Sequence, residues 1–222
     1  MVRRNRVGQG RYGYRRITAA MCKSGNAVNH KTVQRLMSEL GLKSLVRIKK
    51  YRSRRGELGR VAPNLLQRQF HAKQAKQKWV TDVTEFNVAG EKVYLSPILD
   101  LYNGEIVAFE TAKRPLFDMV GSMLKKAIAR LCVDEAPMLY SDLGWQYQMP
   151  VYQRILGQRQ ITQSMSRKAN CLDNAVMESF FAVLNTEFFY LNKFSSAEQL
   201  RKGLADYIHY YNHDRIKLKL KY

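Results

Sequence analysis

An α/β protein, with a mixed sheet and flanking helices behind a small all-helical module, is the fold class the sequence predicts. Three observations carry it. Between Lys78 and Glu110, three runs rich in β-branched and aromatic residues follow one another across turn signals. From Phe117 onward, helical and strand-like segments alternate. The positive charge lies almost wholly ahead of both. The 222 residues carry a formal net charge of +20. From Met1 to Lys78 there are 21 Lys and Arg against only Glu39 and Glu57, whereas from Trp79 to Tyr222 the counts are 17 and 16.

The basic third opens on a helical pair. Tyr14 to Cys22 has helical character and runs out near Gly25, which can turn the chain. Asn29 is a good N-cap for a second helix, in which Val33, Leu36, Met37 and Leu40 recur at helical spacing before Gly41 closes it. Lys31, Gln34 and Arg35 share the other face, the pattern of a helix-turn-helix that presents its second helix to DNA. An ordinary helical hairpin with a solvated basic face shows the same pattern. The next segment favours DNA. Lys43 to Arg60 holds Lys49, Lys50, Arg52, Arg54 and Arg55 around Tyr51 without apolar periodicity, as expected of an extended basic linker that tracks phosphates.

The domain reading is therefore a helix-turn-helix module over 1–45, a basic linker over 46–77 and a catalytic core over 78–222. In the core, Lys78 to Phe86 reads as a first strand, Val93 to Leu101 as a second and Glu105 to Glu110 as a third, with Ala89-Gly90 and Asn103-Gly104 as turns. Phe117 to Cys132 reads as a helix, Pro137 to Ser141 as a short apolar strand, Val151 to Leu156 as a helix and Ile161 to Ser164 as a strand. Asp173 to Phe189 and Ser195 to Tyr211 read as two closing helices.

Composition excludes several classes. No apolar run approaches the about 20 residues that span a bilayer, and no apolar stretch follows the basic start, so no membrane attachment and a cytoplasmic, nucleoid-associated protein are expected. Cys22, Cys132 and Cys171 are odd in number and far apart, and none stands at a zinc-ligand spacing, so neither a disulfide framework nor zinc is expected.

Three acids stand out. Asp82 interrupts an apolar strand, where a buried charge calls for a partner or a metal. Asp142 lies just past the end of a second strand, where side chains reach ligands in open α/β sheets. Glu178 shares a helix face with Asn174 at spacing four. Converging carboxylates suit hard cations such as Mg²⁺, a pair of which supports in-line phosphodiester displacement. With 16 acidic residues after Trp79, spacing alone does not single these three out.

Local sequence does. Trp79-Val-Thr-Asp-Val-Thr-Glu-Phe86, Tyr140-Ser-Asp-Leu-Gly144, Asp173-Asn-Ala-Val-Met-Glu-Ser-Phe-Phe181 and Tyr211-Asn-His-Asp-Arg215 resemble, in order, the signatures of bacterial insertion-sequence transposases of the OrfB type. Tyr12-Gly-Tyr-Arg-Arg-Ile17 and Val28 to Leu36 resemble the helix-turn-helix part of the same family, so the resemblance covers nearly the whole chain. The family, like retroviral integrases, uses an Asp, Asp, Glu triad on an RNase H-like core. Its usual 35 residues between the last two acids separate Asp142 from Glu178 here.

The resemblance implies catalysis and metal binding by Asp82, Asp142 and Glu178, with Asn174 in support, and two Mg²⁺ or Mn²⁺ ions. It implies DNA as partner, both element ends and target. Arg167 and Lys168 are expected to join the DNA contacts named above. A homo-oligomer on DNA and an upstream-encoded partner or frameshift fusion also follow. Tyr140 and Leu143 replace the family's usual His and polar residue around Ser141-Asp142, and Lys217 stands where a His is usual. The chain is also shorter at both ends than the family pattern, so a truncated copy is expected. Two alternatives stand beside a working transposase: an inactive remnant that binds DNA, and a simple RNase H-like nuclease.

Overall fold

The computed structural model of the chain describes residues 10–44, 61–67, 69–166 and 174–217. The expected DNA contacts Lys49, Lys50, Arg52, Arg54, Arg55, Arg167 and Lys168 lie outside them. The described residues form two units. One gathers those of Met1–Lys49, Val183–Lys193 and His213–Tyr222; the other gathers those of Lys50–Ala182 with Phe194–Asn212.

In the first unit, α1 (Tyr14–Lys23) and α2 (His30–Glu39) form the expected helical pair. The Asn29 side chain accepts a hydrogen bond from the Lys31 amide at 2.9 Å, so the N-cap read from sequence is made. Gly41, at φ +63°, ends α2 while the Leu42 amide reaches back to the Met37 carbonyl at 2.8 Å. That left-handed residue is why glycine stands there. Val33 and Met37 are buried, whereas Lys31, Gln34 and Arg35 are exposed on α2.

The same unit closes on an ionic clasp. Arg215 donates through Nε and Nη2 to both oxygens of Glu187, at 2.8 and 3.0 Å, and Arg16 donates to Oε1 at 2.7 Å. The Tyr12 hydroxyl donates to the Asp214 carbonyl and accepts from the Ile216 amide. Glu187 is 3% exposed and Arg215 7%, so these charges have left water and depend on one another.

The second unit is built on a six-stranded mixed sheet: β1 (Lys78–Thr81), β2 (Thr84–Val88), β3 (Glu91–Asp100), β4 (Ile106–Ala112), β5 (Met138–Ser141) and β6 (Thr162–Met165). The sequence reads Lys78 to Phe86 as one strand; the structure breaks it at Asp82-Val83. Both halves keep one antiparallel register on the long β3, with Thr81 opposite Ile98 and Thr84 opposite Leu95. That register sets Pro97 against Asp82, and proline has no N–H to give the ladder. The break frees Asp82 from the sheet. β4 pairs the far edge of β3, and β5 and β6 run parallel beyond β1.

Helix α3 (Phe117–Ile128) lies on β3 and β4, and α4 (Pro150–Gln158) on β6. Met119, Val120, Met123, Leu124 and Ala127 of α3 join Trp79, Ile98, Leu139, Tyr152 and Leu156 in one core. Each fully buried large apolar side chain there contributes about 1.5–3 kcal/mol. Helix α5 (Ala175–Glu187) starts in this unit, and α6 (Ala197–His213) packs Tyr211 edge-on against Phe180 at 5.0 Å. Asn212 extends the ladder at β4: its Oδ1 accepts from the Ile106 amide and its Nδ2 donates to the Ile106 carbonyl.

Candidate active site

Parallel pairing aligns β1 with β5, Trp79 beside Leu139 and Val80 beside Tyr140. Two residues beyond Val80 and two beyond Tyr140, at the carboxyl ends of adjoining strands, stand Asp82 and Asp142. Parallel strands run about 4.8 Å apart, so the two carboxyls leave the sheet side by side. The carboxyl ends of a parallel pair are where an α/β sheet offers side chains to a ligand.

Backbone and side-chain donors fix the two acids. Asp82 Oδ1 accepts from the Val83 amide and Oδ2 from Asn174 Nδ2, each at 2.7 Å. Asp142 Oδ1 accepts from the Gly144 amide at 2.9 Å. A Cβ at Gly144 would lie 2.9 Å from Asp142 Oδ1 and 3.1 Å from both Gln146 Oε1 and Tyr147 Cδ2, so a larger residue there would displace the Asp142 carboxylate.

The electrostatics are those of crowded anions. Asp82 is pushed up to about 8, first by burial and then by the charge of Asp142; the bonds from Val83 and Asn174 oppose this, and Glu178 adds a further upward push. Burial also raises Asp142 and Glu178, and the Gly144 amide partly offsets the rise at Asp142. Beneath them Tyr147 is held well above its ordinary value, by burial first and then by the charges of Asp142 and Asp82. Its hydroxyl stays neutral.

Asn174 Oδ1 is buried and has no hydrogen-bond partner among the described residues. No group of three or more Asp, Glu, His or Cys stands ready-made as a metal cage among those residues. The donors at the strand ends are nonetheless all oxygens, carry like charge and include an orphaned amide oxygen beside them. A hard divalent cation fits that set, because its charge offsets both the burial and the Asp142 repulsion that raise Asp82.

The structure thus brings Asp82, Asp142 and Asn174 together and puts Glu178, partly buried on the first turn of α5, within electrostatic reach of Asp82. Lys31, Gln34 and Arg35 belong to the first unit. Sequence reasoning missed Gly144, although its place two residues after Asp142 was a signal. It also missed Glu187, which has no local mark. Asp100, a third core aspartate, is spoken for: it is 2% exposed and accepts from the Lys76 and Tyr102 amides and Trp79 Nε1.

Comparison with known proteins finds integrase-core and HTH-like families along the chain. Residues 72–171 match the integrase core domain, residues 178–222 a second integrase core domain family, and residues 5–51 an HTH-like domain. The chain is 54% identical over 213 residues to the putative transposase InsK for insertion sequence element IS150 of Escherichia coli K12, covering 96% of this chain and 75% of that protein. It is 55% identical over 194 residues to a transposase-like protein of Haemophilus influenzae, covering 87% and 89%. The transposase for IS904 of Lactococcus lactis is 32% identical over 222 residues, covering 96% and 85%. Among solved structures, a chain of the simian T-cell lymphotropic virus intasome in complex with PP2A regulatory subunit B56 gamma shares the fold. Its TM-score is 0.53 at 17% identity, covering 90% of this chain and 66% of that one.

Proposed function

Because the chain belongs to the insertion-sequence transposases, with an integrase core behind an HTH-like domain, we propose that Asp82, Asp142 and Glu178 are its catalytic carboxylates in DNA cleavage at element ends and strand transfer. The observation that carries the assignment is the pair of aspartates side by side at the ends of β1 and β5, with Asp82 pushed up to about 8 by burial first and then by the charge of Asp142. Such a pair is costly in a protein that does nothing with it.

Asp82 and Asp142 would hold a Mg²⁺ or Mn²⁺ ion, and Glu178 a share of a second. Bound there, such ions activate a water or 3′-hydroxyl and stabilise the leaving oxygen of an in-line phosphodiester displacement. The chain's own part is orientation. The Val83 and Gly144 amides fix one oxygen of each aspartate, and Asn174 turns the other oxygen of Asp82.

Residues 1–45 read as the helix-turn-helix module, with Lys31, Gln34 and Arg35 facing DNA; 46–77 as the basic linker, with Lys49, Lys50, Arg52, Arg54 and Arg55; and 78–222 as the core, where Arg167 and Lys168 add phosphate contacts. Element ends and target DNA are the partners, in a homo-oligomer and alongside an upstream-encoded partner or fusion, in the cytoplasm. No helix among the described residues is long and apolar enough to cross a membrane.

The test is strand joining by purified protein on labelled element-end oligonucleotides, with Mg²⁺, Mn²⁺ or chelator. Metal-dependent joining that falls by more than the 10–100-fold typical of outer-shell losses in Asp82→Asn, Asp142→Asn and Glu178→Gln is expected. Joining that survives all three changes sinks the assignment. Salt-sensitive binding without any product would make the chain a DNA-binding protein only.

A further inference from the structure

The loop behind Asp142 presents a large aromatic residue that holds neither carboxylate in place. Trp145 is 50% exposed, while Gln146, Tyr147 and Gln148, which complete its short 3₁₀ turn, are all buried. The turn is firmly held. Gln148 Nε2 donates to the Leu143 carbonyl at 2.6 Å, and Tyr147 packs edge-on against Tyr152 at 5.5 Å. An indole half in water, on a base this rigid and three residues from Asp142, calls for a partner.

Charge indicates which kind. Gln146 Nε2 donates to the Pro115 carbonyl at 3.0 Å and so ties the turn to the loop that carries Lys113 and Arg114, both exposed. Lys113 approaches Glu91 only at 3.8 Å, and the Arg114 guanidinium has no partner among the described residues. A flat aromatic face on a turn tied to the loop of that unpaired Arg114 guanidinium matches a nucleic-acid strand, whose bases stack and whose phosphates attract Arg.

We propose that Trp145 is a stacking platform for a DNA base flanking the phosphodiester on which Asp82 and Asp142 act, with Arg114 taking a neighbouring phosphate. The inference rests on reading this site as the strand-transfer centre. Stacking accepts any base, so the platform fixes the position of the strand without reading its sequence.

The chain supplies its own probe. Of its two tryptophans, Trp79 is fully buried in the core, so Trp145 is the one that DNA can reach. The full chain is titrated, without divalent metal, with two duplexes carrying 2-aminopurine beside the joining phosphate, one of element-end sequence and one of arbitrary target sequence. Quenching of both the indole and 2-aminopurine is expected in one of them, and which one identifies the strand that stacks. Trp145→Leu should abolish the quenching and weaken binding about tenfold or more, Trp145→Phe should restore most of the 2-aminopurine quenching and of the affinity, and Arg114→Gln should lower the salt slope by about one. Unchanged affinity and persistent 2-aminopurine quenching in Trp145→Leu overturn the platform, as does indole quenching that follows self-association and not DNA. Joining by wild type with no quenching refutes the platform and leaves the catalytic assignment standing. Quenching without joining does the reverse.

Discussion

Two buried carboxylate clusters in this chain are opposites. At the ends of β1 and β5, Asp82 and Asp142 face each other as like charges, and Asp82 is held far above the ordinary carboxylate range by burial and that neighbour. In the clasp, burial alone would raise Glu187, but the bidentate Arg215 and then Arg16 overcome it and hold Glu187 below its ordinary value. The same functional group, similarly withdrawn from water, is left short of cations in one place and supplied with two in the other. What differs is the work: the clasp is saturated and holds structure, whereas the strand-end pair leaves capacity for a ligand from outside.

Breaking each cluster should therefore have opposite consequences. The largest loss of stability is expected in Glu187→Gln, which strands Arg215 and Arg16 together: about 3–5 kcal/mol in urea unfolding. Asp142→Asn should leave the midpoint of the metal-free protein unchanged or raised, since it removes repulsion. Equal destabilisation by the two changes would erase the distinction. Next comes Gly144→Ala, whose Cβ meets the Asp142 carboxylate and the Tyr147 ring. It should lower strand joining about 10–100-fold by turning Asp142, read as a kcat loss with little change in DNA affinity.

The pH dependence sharpens the contrast. Asp82 has its pKa raised from 3.8 to about 8, so its contribution to stability is complete below about 3.8 and is lost as pH rises through 8. Glu187 lies below its ordinary 4.5, so its contribution is present above 4.5 and is lost as pH falls through the lowered value. In chelator, urea midpoints should fall from pH 5 to about 8 in wild type and stay flatter in Asp82→Asn. Identical slopes in the two proteins would remove the case for a crowded pair. The smallest effect belongs to an exposed pair of the same chemistry. Arg35 and Glu39 are 2.7 Å apart but 65% and 53% exposed, so Arg35→Ala should shift stability by no more than about 0.5 kcal/mol while reducing the salt slope of DNA binding by about one.

Much of the fold is written locally. The caps and period of α2, the turn glycines Gly41 and Gly90, the alternation in β2 and the apolar stripe of α3 are set by residues within a few positions of one another. The resemblance named Asp82, Asp142 and Glu178, and the chain's segregated charge pointed to nucleic acid. The break at Asp82-Val83 was not legible, because it depends on Pro97 across the sheet.

The sequence by itself determined the elements, their order and the acids that its motifs mark. Tertiary structure decided which charges are crowded and which are answered. Asp82 is 92 positions from Asn174, and Glu187 is 171 from Arg16. Helical and strand periods carry information over a few residues only, whereas a carboxyl's protonation is set by whatever charge and solvent chain closure brings within a few ångströms.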